Sequence, residues 1–261
     1  MSQPGWRPET TFQLKGWASA WDSRRLSAAA AALAFAAGIG WSHTPYGWLL
    51  ASVILLETAG MTLPWRVPRL MRGAVSFWAE TLVGLIAPLG TTVLVLMQRP
   101  TWLTTGSAWW WYVVAVALTI ALFALSDLNL RGLFSGELSF VFGPTPRSHG
   151  SARAFASACG AIGEEFLYRA PVILGLYSFP LALLGGAGFV ARHHLQPGTN
   201  RRGTARSTAT EISAAGGLLA LTMLSHSIYP ALLAHLFNNV PNIVLELQRE
   251  HDPRTGDLWP T

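Results

Sequence analysis

Long apolar segments that recur along the chain place the strongest constraint on its fold. They lie in the 261-residue sequence at 26–43, 46–65, 74–97, 108–128, 152–177, 179–195, 211–229 and 230–248. A helix needs about 20 apolar residues to cross a bilayer. The composition agrees with this interpretation, because 51% of the residues are hydrophobic and 12% are charged. The sequence therefore predicts an all-α fold, a polytopic membrane helical bundle of about eight transmembrane helices.

Arginine clusters occupy alternate connections between these segments. Arg24 and Arg25 precede the first segment, and Arg201 and Arg202 lie in the loop 198–208. By the positive-inside rule, this alternation predicts an integral protein of a prokaryotic cytoplasmic membrane with both termini cytoplasmic. The run after Arg25 also resembles a secretory signal, but the next apolar segment follows so closely that we expect a retained helix. Nucleic acid is not expected as a partner despite the net charge of +5, since the basic residues do not line one face.

Three polar motifs interrupt the apolar segments of the carboxy-terminal half, and the first is EEFLYR, which begins at Glu164. Two carboxylates and a guanidinium are costly in an apolar setting, so they persist there when they are paired or carry chemistry. Glu165 and Arg169 share a helix face at i,i+4 and are expected to pair, which leaves Glu164 free for another task. A purely structural ion pair between two helices is the alternative.

The other two motifs contain histidines. In GFVARHHL, Phe189 and His193 are four residues apart and share a helix face, although an interfacial histidine is the simpler alternative. In HLFNN, His235 and Asn239 have the same spacing, and an asparagine that only joins helices is the alternative.

Three further acidic residues lie in or beside apolar segments without a histidine nearby in the sequence. They are Glu57, Glu80 and Asp127. We interpret them as packing or polar-network residues.

Helix geometry brings the first two motifs to one depth. If helices run over 151–177 and 179–195, Glu164 and His193 each lie about 13 or 14 residues from the connection. At 1.5 Å per residue, both side chains are then roughly 20 Å from it. A carboxylate and an imidazole that share a water molecule form a general-base system, and an amide with a second imidazole can donate to an oxyanion.

Together and in this order, the motifs resemble those of the CPBP family of intramembrane proteases, which includes type II CAAX prenyl endopeptidases and Abi proteins. EEFLYR is similar to EExxxR, FVARH to FxxxH and HLFNN to HxxxN, over about residues 150–245. The resemblance implies a catalytic transmembrane core at 150–248. Before it we expect a cytoplasmic segment at 1–25 and transmembrane helices with an interfacial loop at 26–149, and after it a cytoplasmic tail at 249–261.

The resemblance also implies an activity, that of an intramembrane endopeptidase which hydrolyses peptide bonds of a membrane-associated precursor within the lipid bilayer. Glu164 and His193 would activate the attacking water. His235 and Asn239 would stabilise the oxyanion.

Other implied roles concern the shape of the site and its cofactors. The resemblance makes Glu165, Arg169 and Phe189 site-shaping residues. No cofactor is expected, because the HExxH helix of soluble zinc proteases is missing. Zn²⁺ is the alternative. Its ligands would be Glu164, His193 and His235.

Two other function classes stay open at this point. A non-proteolytic membrane immunity or binding protein could use the same scaffold. A proton-coupled transporter could use buried Glu and His side chains, but the sequence lacks an inverted repeat.

Overall fold

A computed structural model describes residues 23–44, 46–62, 74–98, 107–126, 128–145, 148–175, 179–195 and 205–251. Within these ranges the regular structure consists of eleven helices. In chain order they are α1 (Ser23–Trp41), α2 (Gly47–Thr62), α3 (Ala74–Met97), α4 (Trp110–Ser126), α5 (Leu130–Phe134), α6 (Glu137–Phe142), α7 (His149–Tyr168), α8 (Ala170–Ile173), α9 (Phe179–Leu195), α10 (Ala205–Ser225) and α11 (Tyr229–Glu250).

The membrane part of the predicted fold class is wrong. In the part of the chain that the structure describes, none of the helices combines the length and the apolar character that a bilayer crossing requires. Two apolar runs in the sequence are longer than their helices, since 46–65 contains the 16 residues of α2 and 108–128 the 17 residues of α4, and α9 has only 17 residues. The predicted bundle of about eight transmembrane helices is therefore corrected to an all-helical fold. The predicted location, an integral protein of a prokaryotic cytoplasmic membrane with both termini cytoplasmic, is corrected on the same finding.

The break after α7 shows why a long apolar run need not be one helix. The sequence predicts a single helix over 152–177, but α7 ends at Tyr168 and the short helix α8 starts at Ala170. Pro171 lies in the first turn of α8, where its missing N–H costs nothing. In the middle of a longer helix the same ring would clash with a preceding carbonyl. The proline therefore fixes the end of α7 just after the EEFLYR glutamates.

Helix α7 is central to the packing, because it contacts α3, α9 and α11. Gly163 lies against Pro88 of α3, and a Cβ on this glycine would come within 2.2 Å of the Pro88 Cβ. Gly185 of α9 meets the Tyr168 carbonyl oxygen, which would lie 2.3 Å from an added Cβ. Only glycine permits such close helix contacts, so these two residues set the distances at which α3 and α9 approach α7.

The start of α7 is held by the end of α11 rather than by its own first residues. Glu250 accepts hydrogen bonds from the backbone N–H of Ser148, at 2.7 Å, and from the backbone N–H and hydroxyl of Ser151. Arg153 of α7 forms an ion pair with Glu246, and Arg249 donates to the Gly143 carbonyl oxygen. We call Arg153, Glu246, Arg249 and Glu250 the terminal cluster. It anchors α11 to α7 along an antiparallel contact.

The stretch expected as an interfacial loop contains two short helices. Asn129 caps α5 by accepting a hydrogen bond from the Gly132 N–H at 2.9 Å. Gly136 adopts a φ of 79° between α5 and α6, a conformation that favours glycine. Both helices contact α11.

Candidate functional site

The last turns of α7 carry three charged side chains into the protein interior. Glu165 and Arg169 have no exposed surface, and Glu164 is 8% exposed. The Glu165 Oε2 and Arg169 Nε atoms lie 3.3 Å apart, so the predicted i,i+4 contact is present. Among the described residues, Arg169 Nη1 and Nη2 have no hydrogen-bond partner. A fully buried guanidinium with unbonded N–H groups is costly, which marks this position for more than packing.

His235 of α11 lies between the two glutamates. Its Nδ1–H donates to Glu165 Oε1 over 2.9 Å, and its Nε2 lies 3.8 Å from Glu164 Oε2. Burial alone would lower the pKa of His235, but the hydrogen bond and charge of Glu165, together with the charge of Glu164, raise it. The imidazole is therefore oriented by one carboxylate while its other nitrogen faces the second carboxylate.

The Phe189 ring forms one wall of this arrangement. It lies edge-on to His235, with ring centres 5.5 Å apart, and it stacks at an angle against His193 at 4.7 Å. The Arg169 guanidinium carbon lies 5.5 Å from the centre of the same ring. Tyr168 contacts its edge at 5.8 Å. Phe189 thus brings both imidazoles and the buried guanidinium around one apolar surface.

His193 lies on α9 next to this wall. Its Nδ1–H donates to the Phe189 carbonyl oxygen at 2.9 Å, so Nε2 is the ring nitrogen left for other partners. His193 lies close enough for its charge to lower the pKa of Glu164. Among the described residues, however, no hydrogen bond or ion pair joins His193 to Glu164. The depth argument therefore predicts proximity but not a direct contact.

Glu164 is not left without a partner, which corrects the sequence-based expectation. Arg192 Nε lies 3.4 Å from Glu164 Oε1, and Arg192 Nη1 lies 3.2 and 3.3 Å from the two carboxylate oxygens of Glu57. Burial alone would raise the pKa of Glu164, but the charges of Arg192, His193 and His235 outweigh it and hold this pKa below its usual value. Glu164 is accordingly an ionised carboxylate inside the protein.

Asn239 points away from the glutamates. Its Nδ2 donates to the Ser157 carbonyl oxygen of α7 over 3.0 Å. Ser157 precedes Glu164 by seven residues, roughly 10 Å along the helix. One of the two amide N–H groups of Asn239 is therefore engaged in an interhelical hydrogen bond with a residue remote from Glu164, whereas His235 faces the site.

The geometry gives no support to the zinc alternative. Over the described ranges, no three His, Cys, Asp or Glu side chains lie close enough together to bind one metal ion. This holds for Glu164, His193 and His235 as well. Glu164 and His235 do lie near one another. One side of Glu164, however, is occupied by the positively charged Arg192.

Sequence reasoning missed Arg192, Glu57 and Tyr168 as parts of the site. Arg192 directly precedes His193, and Glu57 is one of the acidic residues interpreted as packing. Tyr168 completes EEFLYR, and its phenol lies close enough to Arg192 to interact with the guanidinium charge. Burial raises the pKa of the Tyr168 phenol. The sequence offers one signal for the contact of Glu57 with Arg192. Glu57 is a carboxylate in the apolar α2, and such a group needs a cationic partner.

The structure does not describe Asp127 or the side chain of Glu80, which the sequence predicts to be packing or polar-network residues.

Comparisons of this chain with protein-family models, with characterised proteins and with solved structures find no match.

Proposed function

We propose that the protein is an endopeptidase that hydrolyses peptide bonds with water activated by Glu164. The observation that carries this proposal is the sequence of contacts from Glu165 through His235 to Glu164. Glu165 fixes the ring orientation of His235 at 2.9 Å, and the gap of 3.8 Å between His235 and Glu164 is too long for a direct hydrogen bond. It is short enough for one water molecule to contact both groups.

The charges of Glu164 and His235 suit the two tasks of peptide hydrolysis, which are to accept a proton from water and to stabilise the oxyanion. Glu164 is the acceptor, since its pKa is held low and it is ionised at neutral pH. Its weak basicity is a cost, which proximity and exclusion of bulk water must offset. His235 is the donor, because its raised pKa favours the imidazolium, whose Nε2–H can stabilise negative charge on an oxygen.

The proposed reaction proceeds in two steps. Glu164 accepts a proton from water while the water oxygen bonds to the substrate carbonyl carbon, and the carbonyl electrons move to an oxyanion beside His235 Nε2–H. The tetrahedral intermediate then collapses, the C–N bond breaks, and Glu164 returns the proton to the leaving amine. The carboxylate ends as it began, so the step needs no further reactant.

The resemblance to CPBP-type motifs supports the same chemistry. Of the residues it implies, His193 and His235 both contact Phe189, and Glu164 lies 3.8 Å from His235. His193 would assist the water through its Nε2. Asn239 is left out of the proposed oxyanion site, because its amide group lies beside Ser157, roughly 10 Å along α7 from Glu164.

A non-catalytic binding protein is the second candidate, and one observation favours it. Arg192 lies against Glu164, and a carboxylate neutralised by an arginine is a weaker base than a free one. On this alternative the charged residues only hold α2, α7, α9 and α11 together.

Heavy-oxygen labelling separates the two candidates. The purified full chain is incubated with a mixture of peptides from digested cellular protein in ¹⁸O-enriched water, and new carboxyl termini are sought by mass spectrometry. Direct attack by water places ¹⁸O in each new carboxyl group. We expect labelled products from the wild type and from the control Glu246→Gln in the terminal cluster. Glu164→Gln should reduce product formation by about 100- to 10,000-fold, the usual contribution of a general base. Equal cleavage by Glu164→Gln would refute the proposal.

A further inference from the structure

Glu57 belongs to α2, in the half of the chain where the sequence shows no catalytic motif. Its ion pair with Arg192 of α9 connects it to the site. The Glu57 side chain is 9% exposed and that of Arg192 16%, so the contact is largely shielded from water. Helices α2 and α9 pack against each other, which keeps the two charges together.

The Arg192 guanidinium is divided between two carboxylates. Its Nη1 lies within 3.3 Å of both Glu57 oxygens. Its Nε lies 3.4 Å from Glu164 Oε1, but this nitrogen makes no hydrogen bond with acceptable geometry to any described residue. A guanidinium normally binds one carboxylate through two parallel N–H groups, whereas Arg192 directs Nη1 to Glu57 and Nε to Glu164.

This division decides whether Glu164 can act as a base. A two-point pair with Arg192 would occupy lone pairs on both Glu164 oxygens, and the water would lose its proton acceptor. With Nη1 held by Glu57, Oε2 of Glu164 faces His235 and accepts no side-chain hydrogen bond from a described residue. The charge of Arg192 still keeps Glu164 ionised.

We infer that Glu57 is a positioning residue that holds Arg192 off Glu164 and so keeps the Glu164 carboxylate open to the attacking water. This inference rests on the proposed function. It gives the amino-terminal half of the chain a defined part in the site. Glu57 itself touches neither the water nor the substrate.

Other groups around Arg192 are consistent with this role. The Tyr168 phenol lies close enough to interact with the guanidinium charge, and its ring packs between Phe35 and Phe189. Burial raises the pKa of Glu57, and Arg192 opposes that rise. The neighbouring charged groups on α7 and α11 are Glu164, Glu165, Arg169 and His235.

The test compares Glu57→Gln with the wild type, using a peptide cleaved in the labelling experiment. The amide removes the charge that attracts Arg192, so the guanidinium should turn onto Glu164. We expect kcat to fall by roughly 10- to 100-fold with KM unchanged, since misplacement at the reacting atoms has effects of this order. Glu57→Asp should keep most of kcat. Adding Arg192→Lys to Glu57→Gln should restore part of kcat, because an ammonium cannot bind two oxygens as a fork. Glu246→Gln serves as the control.

A crystal structure of the Glu57→Gln variant tests the inference independently of any substrate. We expect two guanidinium nitrogens of Arg192 within hydrogen-bond distance of Glu164. If Arg192 stays where it is, the inference is overturned whether or not the protein cleaves peptides. If kcat of Glu57→Gln matches that of the wild type while Glu164→Gln is inactive, the inference fails and the proposed function stands. Cleavage by Glu164→Gln at the wild-type rate instead refutes the function.

Discussion

The two ends of α7 carry charged clusters of the same residue types with opposite characters. At its carboxyl end, Glu164, Glu165 and Arg169 are buried, and the guanidinium has N–H groups that no described residue accepts. At its amino end, Glu250 accepts three hydrogen bonds from Ser148 and Ser151. Buried and incompletely bonded charge destabilises a fold, whereas a satisfied carboxylate at a helix start stabilises it. The proposed chemistry therefore belongs to the first cluster, whereas the terminal cluster only secures the start of α7.

Glu165→Gln should produce the largest loss of stability. The substitution strands the fully buried Arg169 without its anionic partner, which typically costs about 3–5 kcal/mol of unfolding free energy. Chemical denaturation of the variant measures this loss. Glu246→Gln is the matched control, because the partly exposed ion pairs of Glu246 contribute about 0–1 kcal/mol. Equal losses in both variants would remove the distinction between the clusters.

The pH dependence of stability should show both clusters at once. The pKa values of Glu164, Glu165 and Glu250 are lowered by folding, so their contributions are complete above the ordinary value of 4.5 and are lost as pH falls through the lowered values. The raised pKa of His235 acts in the other direction. Its contribution is complete below 6.5 and is lost as pH rises through the raised value.

Glu57, a fourth carboxyl group, adds to the loss of stability as pH rises. The pKa of Glu57 is raised, so its contribution falls as pH increases above 4.5. We expect the melting temperature to be highest at mildly acidic pH, between about 4.5 and 6.5. Glu250→Gln should make the melting temperature fall less steeply at acidic pH and leave its decrease at alkaline pH unchanged. A melting temperature that rises steadily above pH 7 would contradict the assignment for His235.

Glu250→Ala tests the terminal cluster directly. The side chain caps the first turn of α7 from a distant part of the chain, and loss of a helix cap costs about 0.5–2 kcal/mol. Catalysis should stay at the wild-type level, because the cluster lies at the far end of α7. Denaturation and peptide cleavage measured on one preparation give both values. A loss of activity without a loss of stability would mean that the two ends of α7 are functionally coupled.

Asn239→Ala separates interhelical packing from oxyanion stabilisation. Loss of the hydrogen bond to Ser157 should cost about 0.5–1.5 kcal/mol of stability and change the cleavage rate little. An oxyanion donor would behave differently, with a rate lower by about 100- to 1,000-fold and stability preserved. That second result would restore the role implied by the sequence motif.

Arg153→Ala should have the smallest effect. Its side chain is 44% exposed where it pairs with Glu246, and such contacts are weak in water. We expect a change within about 0.5 kcal/mol, measured by denaturation. A larger loss would show that the terminal cluster behaves as a cooperative network.

The sequence predicted local features well, and its failures involve contacts between distant residues or the context of a segment. The i,i+4 pair of Glu165 with Arg169 follows from helix periodicity, and the apolar runs locate most of the long helices. The partnership of Glu57 with Arg192 spans 135 residues, so no local pattern encodes it. Apolar run length failed as a measure of membrane crossing, because residues before Pro171 and after it belong to different helices. Spacing placed Asn239 beside His235 but could not show which acceptor it would find.

The capping of α7 by Glu250 has a consequence for the order of events during synthesis. Glu250 follows Ser148 by 102 residues, so the cap cannot form until that intervening length has left the ribosome. At about 5–20 residues per second, the delay is roughly 5 to 20 s. His235 and Glu250 belong to the same helix, α11, so both are synthesised late. A nascent chain therefore exposes Glu164 and Glu165 without their imidazole partner, and the site becomes complete in the same late docking step that secures the beginning of α7.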